Sequence, residues 1–128
     1  MTSTTNPAHA IAAFVLAVLC TSHVLADHPM DDLNAPDAEN GKALYNTTCI
    51  ACHGDAGKGA IPGVPDLRGT ESRLAKKDIG TLLHNVLAGY QSPGSMLAMP
   101  PKGGNTELSR QDAIDILHYM RKAFCGED

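Results

Sequence analysis

Two thiols and an imidazole sit within five consecutive residues, Cys49-Ile50-Ala51-Cys52-His53. Thiols three positions apart lie on one turn of chain and can add across the two vinyl groups of a porphyrin, which fixes one edge of the ring. The imidazole that follows at once is then brought to the metal from one face. Cys-x-x-Cys-His in this spacing is the attachment sequence for haem c. Two other chemistries use paired cysteines. A structural zinc site wants a second Cys/His pair at ligand spacing, and the separation of His118 from Cys125 is a poor match. A redox dithiol belongs to a βαβ setting, and no alternating Val/Ile-rich run precedes Cys49.

An iron held by one histidine has a second axial position to fill. A methionine thioether there gives a six-coordinate centre of raised potential. Its geometry barely changes on gaining or losing an electron, and it excludes O₂ and peroxide. Met96 and Met99 lie in a Pro/Gly-rich stretch, residues 91–105, where no regular element would bury a methionine as filler. Pro100 and Pro101 stiffen the chain just after Met99, which favours Met99, with Met96 as the alternative. His84 and His118 are rival ligands, but both fall in predicted helices rather than in the loop that would face His53.

These side chains need elements to carry them. Asp37 reads as an N-cap, opening a helix from residue 38 to about 48 that delivers Cys49. Gly41 stands in mid-helix, where glycine costs about 1 kcal/mol against alanine. Tyr45 lies one turn later on the same face. That pairing predicts a second helix crossing closely. Residues 54–69 hold five glycines together with Pro62 and Pro65, and read as a loop that needs something to wrap around. Asp78 caps a helix at Ile79–Ala88 that Gly89 closes, with an apolar stripe of Ile79, Leu82, Leu83, Val86, Leu87 and Tyr90. Ser109 and Asp112 form a capping-box-like start to a last helix reaching about Phe124. Its apolar face is Ala113, Ile116, Leu117, Met120, Ala123 and Phe124, and Gly126 ends it. No strand signal is present.

The chain has 128 residues and three Tyr, two Phe and no Trp, a thin supply of large core side chains. Chains this short often draw stability from a disulfide, a metal or a cofactor. A net charge of −4 excludes a generic nucleic-acid binder. Residues 10–20 carry no charge, too short a run to span a bilayer but the right length for the core of a secretory signal. Val24-Leu25-Ala26 then suits cleavage after Ala26, although the segment before the apolar run has no Lys or Arg. The expectation is a signal peptide at 1–26, a domain at 27–128 and a periplasmic protein. The alternative is an uncleaved segment that tethers the chain to the membrane. Cys20 leaves with the signal, and Leu19 before it is too large for lipoprotein processing. Cys125 then has no mate, and is free or joins two molecules.

The haem motif Cys49-Ile50-Ala51-Cys52-His53-Gly54, the turn Pro65-x-Leu67 and the run Ala98-Met99-Pro100-Pro101-Lys102-Gly103-Gly104-Asn105 together resemble the class I mono-haem cytochromes c of the short bacterial kind. The resemblance covers about residues 37–124. It implies an all-α fold with terminal helices crossing around one covalent haem, so that Gly41 and Tyr45 meet Ile116 and Tyr119. It implies His53 as proximal and Met99 as distal ligand. It also implies a proline carbonyl (Pro65, or else Pro62) that accepts the His53 Nδ1–H bond, and Arg73 beside a haem propionate or simply in solvent. The function implied is a soluble one-electron carrier between redox proteins: a membrane complex or dehydrogenase as donor, an oxidase or reductase as acceptor. There is no small-molecule substrate and no catalytic residue to assign. Alternatives are an electron-transfer subunit of a larger oxidoreductase, and a five-coordinate haem enzyme or gas sensor. Lys58, Lys76, Lys77 and Lys102 are candidates for rim charges that steer partners. Two features depart from the family pattern: residues 91–98 form a longer approach to Met99, and Cys125 is unpaired.

Overall fold

A computed structural model describes residues 34–127. The expected signal segment, its cleavage site and Cys20 lie outside the described residues. Among the described residues no helix is long and apolar enough to cross a membrane.

Helix α1 spans Ala38–Thr48, and the Asp37 carboxylate caps it by accepting from the Glu39 and Asn40 amides. A single turn, α2 (Ile50–His53), follows directly. The chain then loops through residues 54–69 without helix or strand, as its glycines and prolines predict. A short turn of helix, α3 (Arg73–Lys76), is capped by Ser72. Helix α4 runs from Ile79 to Ala88 between Asp78 and Gly89, the limits read from the sequence. Helix α5, Arg110–Met120, opens with the Ser109/Asp112 capping box fully formed. It ends in a wider π-type turn, Arg121–Cys125, closed by left-handed Gly126.

The crossing of α1 and α5 is the structural centre. A Cβ on Gly41 would stand 2.0 Å from the Asp115 carbonyl oxygen and 2.9 Å from the Ile116 amide nitrogen. Only glycine lets the two backbones approach this closely, and the mid-helix propensity cost is accepted for that reason. Tyr45 is fully buried below it, with ring centroids 5.6 Å from Tyr119 and 5.4 Å from Phe124. Ile116 is also buried. Asp115 is a buried acid among these apolar groups, and three donors converge on its carboxylate: the Asp37 amide (3.1 Å), Asn40 Nδ2 (2.7 Å) and Gln111 Nε2 (2.8 Å). The core continues through Leu67, Leu74, Leu82, Leu83, Leu108, Ala113, Leu117 and Met120.

Four local expectations change. The segment expected to hold no strand contains a two-residue antiparallel ladder, β1 (Tyr90–Gln91) with β2 (Ala98–Met99), in which Tyr90 faces Met99. The second loop is thus a hairpin, and so short a pairing leaves no alternation to read. The turn α3 is a helix that the sequence reading left out. Ile79 is exposed although it continues the α4 stripe, because it sits in the helix's first position. Ala123 is likewise exposed, because the chain has left the α-helical period by the π-type turn.

Candidate haem site

The approach to His53 starts in α1. Cys49 keeps near-helical angles, and its amide bonds the Tyr45 carbonyl at 2.8 Å, so the chain passes into α2 without a break. The His53 amide bonds the Cys49 carbonyl at 3.0 Å, and Gly54 stops the turn with its amide on the Ile50 carbonyl at 2.8 Å. The first loop folds back onto the same turn, with the Gly59 amide on the His53 carbonyl and the Ala60 amide on the Cys52 carbonyl, both at 2.8 Å.

The far side of the site is built by the hairpin. Gly89 ends α4 with φ 82°, and a Cβ there would meet the Met99 carbonyl oxygen at 2.9 Å and the Pro101 nitrogen at 3.0 Å. The chain entering the hairpin and the chain leaving it are therefore in contact, and the ladder sets the position of Met99. The 3₁₀ turn Pro101–Gly104 follows, and Asn105 Nδ2 donates to Thr48 Oγ1 at 3.4 Å. That bond ties the second loop to the end of α1.

Between the two loops lies an open cleft. Cys49, Cys52, His53, Pro65, Arg73 and Met99 all line it. Its floor is apolar, with Leu74, Leu82, Leu108, Leu117 and Met120. Its charged lining residues are Arg73, Lys77 and Lys102, all cationic in a chain of net charge −4. Arg73 Nη1 donates to Ser92 Oγ at 2.6 Å, and the Lys77 ammonium lies 4.6 Å from the centre of the Tyr90 ring. Lys58 and Lys76 are exposed away from the lining, and Lys76 pairs with Glu71.

Met96 is wholly exposed at the hairpin, and neither it nor Pro62 lines the cleft. His84 and His118 are also outside the lining. Cys125 is half-buried, 3.6 Å from Ser72 Oγ and from the Leu67 carbonyl oxygen. The sequence reading missed the contributions of Tyr90, Asn85 and Ser92 to the walls. Only the positions of Tyr90 and Asn85 on or beside the α4 stripe hinted at them.

The donor set and the electrostatics fit a haem. Burial lowers the His53 pKa, which keeps the imidazole neutral and able to bind a metal. His53 Nδ1 is buried with no hydrogen-bond partner, so neither Pro65 nor Pro62 accepts from it in this structure. An orphaned ring nitrogen in an apolar cleft is costly for the chain alone. Burial, and then the neighbouring Cys52 charge, push the Cys49 thiol up to about 11. Cys49 and Cys52 are unpaired, a conformation open to two thioether bonds. Among the described residues no three His, Cys, Asp or Glu side chains gather as a metal site, so a zinc site of that kind is not formed there.

Two thiols and an imidazole in Cys-x-x-Cys-His spacing on one apolar cleft are the attachment pattern of a c-type haem protein. The sequence model of the family described as cytochrome c matches residues 38–124. The chain belongs to the cytochrome c family. It is 35% identical over 91 residues to cytochrome c-555 of Prosthecochloris aestuarii, a match covering 70% of this chain and 90% of that protein. It is 36% identical over 86 residues to cytochrome c-555 of Chlorobaculum tepidum, covering 67% and 76%. Among solved structures it is similar to the c-type cytochrome XoxG from Methylobacterium extorquens, with TM-score 0.52 and 26% identity over 67% of this chain and 49% of that one. The chain thus spans about half the length of that structure. The fold is the helical one of class I cytochromes, and the protein is a haem-c electron carrier rather than an enzyme.

Proposed function

We propose that this protein is an exported, soluble one-electron shuttle, with one haem c joined through Cys49 and Cys52 and its iron held between His53 and Met99. The observation that carries the reading is the shared cleft: both thiols, the His53 ring and Met99 line it together, and Met96 stands outside. Haem bound there supplies a metal that takes up and releases one electron. The chain's residues do the rest. His53 contributes a neutral imidazole, and coordination through Nε2 leaves Nδ1–H for an acceptor, for which we propose the Pro65 carbonyl. Met99, held by its ladder partner Tyr90 and by Pro100, contributes a thioether that need not move between oxidation states. Leu82, Leu108, Leu117 and Met120 exclude water from the metal. Arg73 presents a guanidinium to a haem carboxylate, with Ser92 holding its other end.

Residues 1–26 serve as the export signal, and residues 27–128 as the working domain in the periplasm. Partners are redox proteins that dock briefly at the cleft mouth, a membrane complex or dehydrogenase on one side and an oxidase or reductase on the other. Lys77 and Lys102 stand at that mouth to orient them. The test is an optical redox titration of the wild type with Met99→Ala and Met96→Ala. Met99→Ala is expected to abolish the methionine–iron charge-transfer band of the oxidised form and lower the midpoint potential, with Met96→Ala close to wild type. The opposite pattern moves the ligand to Met96. A five-coordinate wild type that binds carbon monoxide readily overturns the shuttle.

A further inference from the structure

Tyr45 does more in this structure than fill the helix crossing. Its hydroxyl donates to the Gly54 carbonyl oxygen at 2.5 Å, from a ring with no exposed surface. Among the described residues it is the one side chain hydrogen-bonded to the stretch 49–54. The Cys52 and His53 carbonyls are tied by the Ala60 and Gly59 amides of the first loop. Gly54 has only one other donor, the Gly57 amide at 3.4 Å, and its own angles, φ 76° and ψ 165°, belong to glycine alone. The peptide directly after the imidazole therefore has no side chain to pack it. A phenylalanine would fill the space between Tyr119 and Phe124 equally well. A buried hydroxyl is costly unless bonded, so this bond accounts for tyrosine being here.

We propose that Tyr45 is a positioning residue: through the Gly54 carbonyl it fixes where the His53 imidazole sits in the cleft, and so tunes the metal that His53 binds. The proposal rests on His53 being the iron ligand. It makes the α1–α5 crossing, which holds the Tyr45 ring rigid, the reference frame for the proximal side of the haem.

The test compares Tyr45→Phe with Tyr119→Phe in the haem-loaded protein. Tyr119 packs on the same aromatic cluster but makes no bond to the His53 turn. Two readouts are taken: the midpoint potential, and the paramagnetically shifted imidazole resonances of His53 in the oxidised state. Both are expected to move in Tyr45→Phe and to remain at wild-type values in Tyr119→Phe. If the two variants behave alike, the hydroxyl serves packing only and the proposal falls. Should Tyr45→Phe fail to load haem, the wild type carries the test. Its Tyr45 hydroxyl proton is expected to exchange slowly and to contact Gly54 in nuclear Overhauser spectra, and a freely exchanging hydroxyl overturns the assignment. A wild type without shifted His53 resonances instead overturns the ligand reading on which the proposal stands.

Discussion

At the α1–α5 crossing, backbone lies on backbone at Gly41, and the Asp115 carboxylate meets three donors. Some of the same core side chains, Leu117 and Met120 among them, also line the cleft. There a ring nitrogen of His53 is unbonded and two thiols are unpaired. One face of the core is completed by the polypeptide, and the other is shaped for a large apolar guest. A chain with five aromatic residues can afford this division because the porphyrin stands in for side chains it lacks.

The sharpest way to break the contrast is to remove the anchors on the cleft side. Cys49→Ser/Cys52→Ser is expected to leave no haem on the chain after acid–organic extraction, read by mass spectrometry, and to lower the denaturant midpoint most of all. Gly41→Val attacks the other side. Its Cβ would stand far inside van der Waals contact distance of a backbone oxygen, so the helices must separate. The loss should be about 3 kcal/mol or more in chemical denaturation; Gly41→Ala brings the same Cβ into the crossing and is also expected to lose stability, because about 1 kcal/mol of helix propensity does not offset that clash. Asp115→Ala strips the acceptor from three donors and is expected to cost about 2–3 kcal/mol, measured in the same way. The smallest effect concerns pH. Bonds from the Ser109 amide and hydroxyl lower the Asp112 pKa. Its stabilising contribution is therefore present above the unfolded carboxylate value of about 3.9 and lost as pH falls through the lower folded value. Asp112→Asn should flatten the acid limb of the stability curve and leave the neutral region nearly level.

The local half of the architecture was legible. Asp37, Asp78 and Ser109 marked three helix starts, and Gly89 and Gly126 two ends, because a cap is a bond between neighbours in sequence. Gly41 and Tyr45 announced the crossing, because a glycine beside an aromatic in mid-helix has few other uses. Asp115 was not legible as a buried acid. Two of its partners, Asp37 and Asn40, are 78 and 75 residues away, and no pattern within α5 records them. The ladder escaped for a similar reason: two residue pairs make no period. At the site, the five-residue motif named its own chemistry. Choosing between Met96 and Met99 rested on two prolines, and which side chain lines the cleft depends on the hairpin register, which no local pattern records.

The ladder also has a mechanical meaning. Tyr90 and Met99 form a rung at the base of the hairpin, and Met96 projects beyond it into solvent. Bending or lengthening of the tip is expected to be taken up beyond that rung, leaving the Met99 backbone in place. Position 96 is therefore a convenient handle. A cysteine introduced there would carry a fluorophore or an electrode linker three residues from Met99 and outside the cleft.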